Sequence, residues 1–399
     1  MMAKLSTGCM LVLLLPLSQA RGLEIEPGHK FAEVVRAHFA EWDLNRDGRL
    51  EAQEIDQLMN RHTIRGEEAA ALAAIKLRER TTPVAERAHF STSLAQLTGQ
   101  ASSQGRALAA DPARGGPHPF SYEAHFLLNL KVLGTLVPRL FAGNQPDFRA
   151  MKQGAIGDCY FFSLTGYLAA REPWKIVRMI VPEPGGNFTV QFFDREVIPV
   201  SAPTEAEMLV NNSASSLSDG YWLCVLEKAV GKRMRATTKN QAKRTAETTD
   251  AMAAGSGTEM MIKLYSGHRS QAIKLRDSRE AARRLSELRR ELPAVLARGM
   301  LAGVEMNRAP PAGQAKVPGL RYDHAYAIIG YAPRTDLASV WNPWGQNFTP
   351  KGREGIEHGF VTEHGMFQIP LTTLYHQFST VHLETIAPSV PRAHLTRSR

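Results

Sequence analysis

Apolar positions near the amino-terminal end of the chain recur at helical spacing on both sides of one polar segment. They form two sets, Phe31, Val34, Val35 and Phe39 before the segment and Ile55, Leu58 and Met59 after it. Residues three and four apart lie on one face of a helix, so each set predicts an amphipathic helix. Two further helical segments are predicted around 67–79 and 83–97. The Gly-, Ser-, Ala- and Pro-rich stretch 98–119 is typical of a flexible linker.

Another helical pattern lies between 276 and 293. Its apolar face is marked by Leu285, Leu288 and Leu292. Asp277 and Glu280 are spaced as a capping pair for this helix, and Pro293 predicts its end or the start of the next one.

A strand, a turn and a returning strand are predicted at 323–331, 332–336 and 337–341. His324 stands near the start of the first strand, and Asn342 follows the second. Their midpoint in the sequence falls inside the turn, so a hairpin would make them near-opposite neighbours. An amide oxygen there would hold one imidazole nitrogen and leave the other for a thiol.

The segment from Gln153 to Cys159 has the composition of a nucleophile site. Gly157 and Asp158 predict a turn and cap, which place Cys159 in the first turn of a helix that continues through Leu168 and stops before Pro173. The positive end of a helix and a cationic imidazole both stabilise a thiolate. Gln153 is spaced to swing back toward the sulfur, where an oxyanion would develop.

These blocks resemble the calpain family of papain-like cysteine proteases, which carries Gln-Gly-x-x-Gly-Asp-Cys, His-Ala-Tyr and Asn-Pro-Trp-Gly in that order. The resemblance implies that Cys159 is the nucleophile, His324 the general base and acid, and Asn342 the residue that orients the imidazole. It also implies that Gln153 supplies an oxyanion donor beside the N–H of Cys159. Trp344 would shield the His–Asn bond from water. The segments from Trp222 to Ala229 and from Gly365 to Phe378 are similar to later parts of the family's core.

The sequence departs from the family at several positions. Tyr160 and Trp341 replace a tryptophan and an arginine, and Asp323 precedes the histidine where glycine is common. The acidic, tryptophan-rich segment that follows the Asn-Pro-Trp-Gly block in animal calpains is missing, so calcium sites inside the core are not carried over. The implied fold is α+β. It has a papain-like two-lobe core, with a helical lobe and an antiparallel β lobe, at 120–388, and a small all-α EF-hand region precedes it at 21–97.

Residues 43–54 fit the twelve-residue EF-hand calcium loop at every ligand position. The predicted ligands are side chains of Asp43, Asn45, Asp47, Glu51 and Glu54 and the carbonyl of Arg49, with Gly48 at the sharp turn. Ca²⁺ is therefore the expected cofactor. EF-hands normally occur in pairs, and the helical segments at 64–98 are candidates for a partner hand without ligands.

The chain starts with a short basic stretch, an apolar run from Met10 to Leu17 and small residues up to Ala20, which predict a signal peptide at 1–20. We therefore expect a secreted or periplasmic monomer without an integral membrane segment after cleavage, ending in a basic tail at 389–399. Export also leaves open a disulfide between Cys159 and Cys224, and removal of 21–119 as a pro-segment.

The formal net charge of +9 would suit a nucleic-acid ligand. However, the arginines at 276–290 alternate with acids and no aromatic residues are interleaved with them, so we expect no nucleic-acid binding. The expected partner is a protein or peptide substrate, cleaved by a calcium-dependent or calcium-stabilised cysteine endopeptidase. The alternatives are a catalytically silent calcium-binding protein and a transglutaminase-type acyl transferase.

Overall fold

The computed structural model describes residues 30–87, 89–99, 120–154, 156–239, 250–252 and 257–386. The predicted signal peptide, the basic tail and nearly all of the predicted linker lie outside these residues.

The first part of the described chain is a helical unit with two short strands. Its elements are α1 (Lys30–Trp42), β1 (Arg49–Glu51), α2 (Ala52–Met59), α3 (Gly66–Thr81), α4 (Val84–Arg87), β2 (Ser91–Ser93), α5 (Leu94–Gly99) and α6 (Tyr122–Leu133). β1 and β2 are antiparallel, with Leu50 opposite Thr92. The prediction of one helix over 83–97 is therefore wrong, because pairing with β1 outweighs the local helical propensity of this segment.

The core of this unit extends beyond the predicted linker. Phe31 of α1 stacks on Tyr122 of α6, with ring centroids 5.1 Å apart. Phe126 of α6 and Leu209 are buried in the same cluster. Leu209 belongs to the helix Glu205–Val210 of the following unit, so the two parts of the chain share one apolar cluster.

The remaining elements form a larger mixed unit. Its helices are α7 (Cys159–Arg171), α8 (Pro173–Met179), α9 (Glu205–Val210), α10 (Trp222–Thr237), α11 (Thr258–Ser266), α12 (Ala281–Ala297) and α13 (Leu371–Gln377). Its strands are β3 (Ile180–Pro182), β4 (Phe188–Gln191), β5 (Val197–Val200), β6 (Arg269–Lys274), β7 (Ala302–Met306), β8 (His324–Ala332), β9 (Leu337–Trp341), β10 (Thr362–Glu363), β11 (Met366–Pro370) and β12 (Thr380–Thr385).

The strands of this unit form two antiparallel sheets. One has seven strands in the order β10-β11-β9-β8-β7-β12-β6, and the other has the order β3-β4-β5. Helices and antiparallel sheets thus occur together, as expected for an α+β core.

Helix α7 packs directly on the large sheet. Gly166 of α7 faces the indole of Trp341 in β9, and a Cβ atom at Gly166 would lie 2.1 Å from that ring. Only glycine allows this approach. The contact brings the helix that begins at Cys159 close to two strands. β8 begins at the catalytic candidate His324, and β9 ends just before the candidate Asn342.

Helix α12 does not end at Pro293. The proline lies inside a helix that continues to Ala297, and Glu280 at the N-cap makes no side-chain capping bond. The predicted end and cap are therefore wrong. Leu288, Leu292 and Val295 are buried on the same face, and this packing outweighs the backbone hydrogen bond that proline removes.

Among the helices in the described ranges, none combines the length and apolar character that crossing a membrane requires.

Candidate active site

Cys159 is the first residue of α7, as predicted. Asp158 occupies the N-cap position, but its carboxylate makes no capping bond. Instead its Oδ1 accepts a hydrogen bond from Gln153 Nε2 at 3.2 Å. The chain turn therefore forms where the sequence indicated, while the side chain expected to cap the helix binds the preceding loop.

His324 is buried at the start of β8, and its Nε2 lies 2.9 Å from Asn342 Oδ1. The same oxygen accepts the backbone N–H of Trp344 at 3.1 Å. Because an amide oxygen can only accept, Nε2 carries the proton. Nδ1 is then the basic nitrogen of the neutral ring.

The hairpin register differs from the predicted one. Ala327 pairs with Trp341, and the register shifts between Ile328 and Gly330. Asn342 therefore lies beyond the end of β9 and is not directly opposite His324. The predicted register is wrong because Ala332 pairs with Leu337, which centres the turn later than the midpoint of His324 and Asn342. The β-bulge removes only one residue of this offset. The side chains nevertheless meet, since Asn342 reaches His324 diagonally.

The backbone of β8 contacts the thiol. The N–H of Ala325, the residue after His324, donates to Cys159 Sγ at 3.3 Å. Cys159, His324 and Asn342 are thus gathered where α7 meets the large sheet. An N–H donor at the sulfur favours its anionic form.

Burial favours the neutral form of both reacting groups. It raises the pKa of the Cys159 thiol to about 11, against the lowering effect of the Ala325 N–H. It lowers the pKa of His324 to about 4, against the hydrogen bond that the ring donates to Asn342. Burial alone therefore favours a thiol and a neutral imidazole. Ionisation must transfer one proton from sulfur to ring, so that the two charges stabilise each other.

Trp344 covers one side of the imidazole. Its ring meets that of His324 edge to face at a centroid distance of 5.6 Å. The guanidinium of Arg321 lies 4.2 Å from the centroid of the Trp344 ring. This cation–π contact holds the indole in place beside the histidine.

Gln153 lies in the loop before Cys159, and its backbone N–H donates to the carbonyl of Pro343 at 2.8 Å. Its side-chain amide donates to the carbonyl of Ile156 at 2.9 Å as well as to Asp158. Both amide hydrogens are therefore bound within the loop. The predicted oxyanion role requires the amide to release Asp158.

Cys159 and Cys224 are both free. Cys224 is buried, with its sulfur 2.9 Å from Ser213 Oγ. The alternative of a disulfide between them is therefore wrong.

The loop between α1 and α2 is turned by hydrogen bonds from its backbone to its acidic side chains. Asp43 accepts the N–H of Asp47 at 3.2 Å and that of Gly48 at 2.8 Å, and Gly48 has φ of 79°. Glu54 Oε1 accepts the N–H groups of Leu44 and Asn45. Within the described ranges, no group of three or more His, Cys, Asp or Glu side chains is arranged to hold a metal ion. The oxygen donors fit Ca²⁺ chemically, but Glu54 would have to exchange backbone bonds for the ion.

Two charged groups of the structure did not emerge from sequence patterns. Glu305 in β7 is opposite Ala325. Lys76 of α3 is buried and lies 3.4 Å from Asp250 Oδ2. The available sequence signal for Glu305 was its position as a charged residue inside the apolar run Ala302–Met306. The second depends on contacts between residues distant in sequence.

Comparison with known families agrees with this geometry. The model of the family described as calpain family cysteine protease matches residues 135–353. The matched range contains Cys159, His324, Asn342 and the loop that carries Gln153. A comparison with curated protein sequences finds no match. More than half of the chain is matched, and it belongs to the calpain family of cysteine proteases.

Proposed function

We propose that this chain is an active cysteine endopeptidase that hydrolyses peptide bonds with Cys159, His324 and Asn342. One observation carries the proposal. The sulfur at the start of α7 contacts the N–H of Ala325 at 3.3 Å, and the adjacent His324 bonds to Asn342 at 2.9 Å. A nucleophile, a base and a group that orients the base are what thiol acyl transfer requires.

In the proposed mechanism His324 Nδ1 takes the proton of Cys159 Sγ, and the thiolate attacks the carbonyl carbon of the peptide bond. The imidazolium then donates that proton to the leaving amine, and the acyl group remains on sulfur as a thioester. Water, deprotonated by the same nitrogen, hydrolyses the thioester and restores the thiol. Asn342 holds the imidazole orientation throughout. Trp344 keeps water from the His–Asn bond.

The developing oxyanion has one donor in the first turn of α7, where backbone N–H groups lack partners within the helix. This donor is the N–H of Cys159. The Gln153 amide becomes the second donor when it turns away from Asp158, which is 3.2 Å away. Substrate binding would supply the acceptor that replaces this carboxylate.

The test compares Cys159→Ala with Cys224→Ala in the purified full chain. Casein and a quenched peptide mixture serve as substrates, and mass spectrometry locates alkylation by iodoacetamide. Cys224 is the matched control because it is the other free cysteine of the described chain and is fully buried. We expect cleavage to vanish only in Cys159→Ala and alkylation of the wild type at Cys159.

Cleavage that survives in Cys159→Ala contradicts the assignment. So does a wild type that incorporates amines into glutamine peptides faster than it hydrolyses any peptide bond, because this rate order defines an acyl transferase.

We also propose that residues 43–54 bind Ca²⁺ as a structural clip between α1 and α2. The ligands would be Asp43, Asn45, Asp47, the carbonyl of Arg49, Glu51 and Glu54. Calcium supplies a divalent charge that holds these oxygens together. The antiparallel pair of β1 with β2 supports the proposal, because it joins the loop to a second strand–helix segment.

Calorimetric titration and thermal melting test this site without reference to activity. We expect calcium to raise the melting temperature of the wild type, and Glu54→Gln to reduce that shift. Glu41→Gln is the control, since the Glu41 side chain is 79% exposed. Equal calcium shifts in all three proteins contradict the site.

We further propose, from the signal peptide predicted at 1–20, that the protein is secreted or periplasmic, and that it is a monomer. Mass determination of the mature chain and light scattering test these two points.

A further inference from the structure

Glu305 is an acidic residue beside the thiol whose role the proposed reaction does not use. It lies in β7, and in the register of the sheet it is opposite Ala325 of β8. Ala325 is the residue whose N–H contacts Cys159 Sγ. Directly paired residues in antiparallel strands project to the same face and lie about 5 Å apart. The carboxylate is therefore a neighbour of the sulfur.

The thiol senses this charge. Burial is the main cause that raises the pKa of Cys159, and the negative charge of Glu305 adds to it. A charge that hinders formation of the thiolate has no use in activating the nucleophile. Its position next to the reacting atom calls for a different role.

The sheet order indicates which half of a substrate Glu305 would meet. β8 lies between β9 and β7. Asn342 and Trp344 follow β9, so they flank the His324 imidazole on the β9 side. This imidazole protonates the leaving amine. Glu305 lies on the opposite side of β8. It therefore faces the acyl half of the substrate, which precedes the scissile bond.

The carboxylate is held in place on one oxygen. Glu305 Oε1 accepts Thr258 Oγ1 at 2.7 Å and lies 3.4 Å from His382 Nε2. Thr258 is buried, and a Cβ atom at Gly303 would lie 2.8 Å from its methyl group. The glycine thus leaves room for the threonine that holds the carboxylate.

The rest of the carboxylate is available to a ligand. The Glu305 side chain is 31% exposed, and Oε2 has no hydrogen bond within the described ranges. Burial raises the pKa of the carboxyl, but the contact with His382 and the hydrogen bond from Thr258 outweigh it and hold the pKa below its ordinary value. The group is therefore an anion at neutral pH.

Two basic residues of the chain lie near this anion. His382 makes the 3.4 Å contact, and Lys274 Nζ lies 3.3 Å from the hydroxyl of Thr380, which is opposite Glu305 in β12. In the described part of the chain, no lysine or arginine forms an ion pair with Glu305. A guanidinium or ammonium from outside would supply the missing partner.

We propose that Glu305 selects substrates with lysine or arginine on the acyl side of the scissile bond. This inference rests on the proposed peptidase function. Oε2 accepts the cationic side chain of the substrate while Oε1 stays bound to Thr258. The site is part of the cleft, so the cation contributes to recognition near the reacting sulfur.

Quenched peptides that differ only at one of the three positions before the scissile bond test the proposal. Each position carries Arg, Leu or Glu in turn, and kcat/KM is measured for the full-length wild type, Glu305→Gln, Glu305→Lys and Glu357→Gln. Glu357 is the control, because its side chain is 87% exposed. A hydrogen bond to a charged group corresponds to a ratio of about tenfold or more between the kcat/KM values of the Arg and Leu peptides.

We expect the wild type and Glu357→Gln to favour Arg over Leu at one position by about tenfold. Glu305→Gln should bring that ratio near one while still cleaving the Leu peptide, and Glu305→Lys should favour Glu. An Arg-to-Leu ratio that is unchanged in Glu305→Gln, or a wild type that favours Leu at all positions, overturns the proposal.

The two proposals fail in different ways. A wild type that cleaves no peptide and is not alkylated at Cys159 contradicts the peptidase function itself. Cleavage without a basic preference contradicts only the role of Glu305.

Discussion

The backbone N–H of Ala325 donates to Cys159 Sγ across a distance of 3.3 Å, between residues 166 positions apart in the chain. This bond joins the start of α7 to the start of β8. It brings the residue after His324 into contact with the thiol. The contact gathers the three catalytic candidates at the junction of α7 and the large sheet.

Asn342→Ala removes the acceptor that holds His324 Nε2. The imidazole then loses its fixed tautomer and orientation, so we expect kcat for peptide cleavage to fall about 100-fold. The measurement is steady-state cleavage at pH 7. Asn307→Ala is the control, because Asn307 is exposed and its backbone carbonyl contact to Asp323 is kept. Equal rates in the two variants would contradict the role of Asn342.

His324→Ala removes the proton acceptor of the thiol. Burial raises the pKa of Cys159 to about 11, so alkylation in the variant should become fast only near that pH. The wild type should be alkylated at neutral pH through the thiolate–imidazolium pair. Rates of iodoacetamide alkylation at Cys159 from pH 5 to 11 check this, with exposed His376→Ala as control. Identical profiles for wild type and His324→Ala would disprove the pairing.

His324 also makes stability depend on pH. Burial lowers its pKa from 6.5 to about 4 in the folded chain, so between these values the unfolded chain binds a proton that the folded chain does not. The contribution of the neutral His324 to the free energy of unfolding is present above about pH 6.5 and is lost as pH falls to about 4. It corresponds to about 3 kcal/mol.

Urea unfolding at pH 7.5 and 4 measures this contribution. We expect His324→Gln to lose less stability on acidification than the wild type, because glutamine does not titrate. The carboxylates common to both proteins cancel in the comparison. An equal loss in both proteins would show that His324 does not carry the effect.

Lys76→Met tests the buried charge cluster between the helical unit and the larger unit. Lys76 Nζ lies 2.6 Å from both Asp56 and Glu79 and 3.4 Å from Asp250. Burial lowers the pKa of the lysine, but these carboxylates outweigh it and keep the ammonium charged. Removal of the Lys76 ammonium leaves the buried carboxylates without this cationic partner, so we expect the free energy of unfolding to fall by about 3–5 kcal/mol.

The measurement for this variant is the free energy of unfolding at pH 7.5. Lys351→Met is the control, because Lys351 is exposed. Arg80 lies 2.6 Å from Asp250. A loss of unfolding free energy below about 1 kcal/mol would mean that Arg80 by itself is sufficient to balance the charge of the acids.

Sequence patterns predicted the parts of the site that depend on local rules. A glycine turn before an apolar helical run located Cys159 at the start of α7. Alternation and turn residues located β8 and β9, and with them His324 and Asn342 at the strand ends. These features follow from backbone preferences within about ten residues, so neighbouring residues are sufficient to indicate them.

Only the tertiary structure decided the features that depend on distant contacts. The pairing of Ala332 with Leu337 across the turn set the register of the hairpin, and the β-bulge between Ile328 and Gly330 shifted it by one residue. Burial of its apolar face kept α12 continuous through Pro293. The sheet order placed Glu305 beside the thiol. The sequence alone determined which side chains could react, because their chemistry is intrinsic. Folding decided which charges lie next to them, because those neighbours come from other parts of the chain.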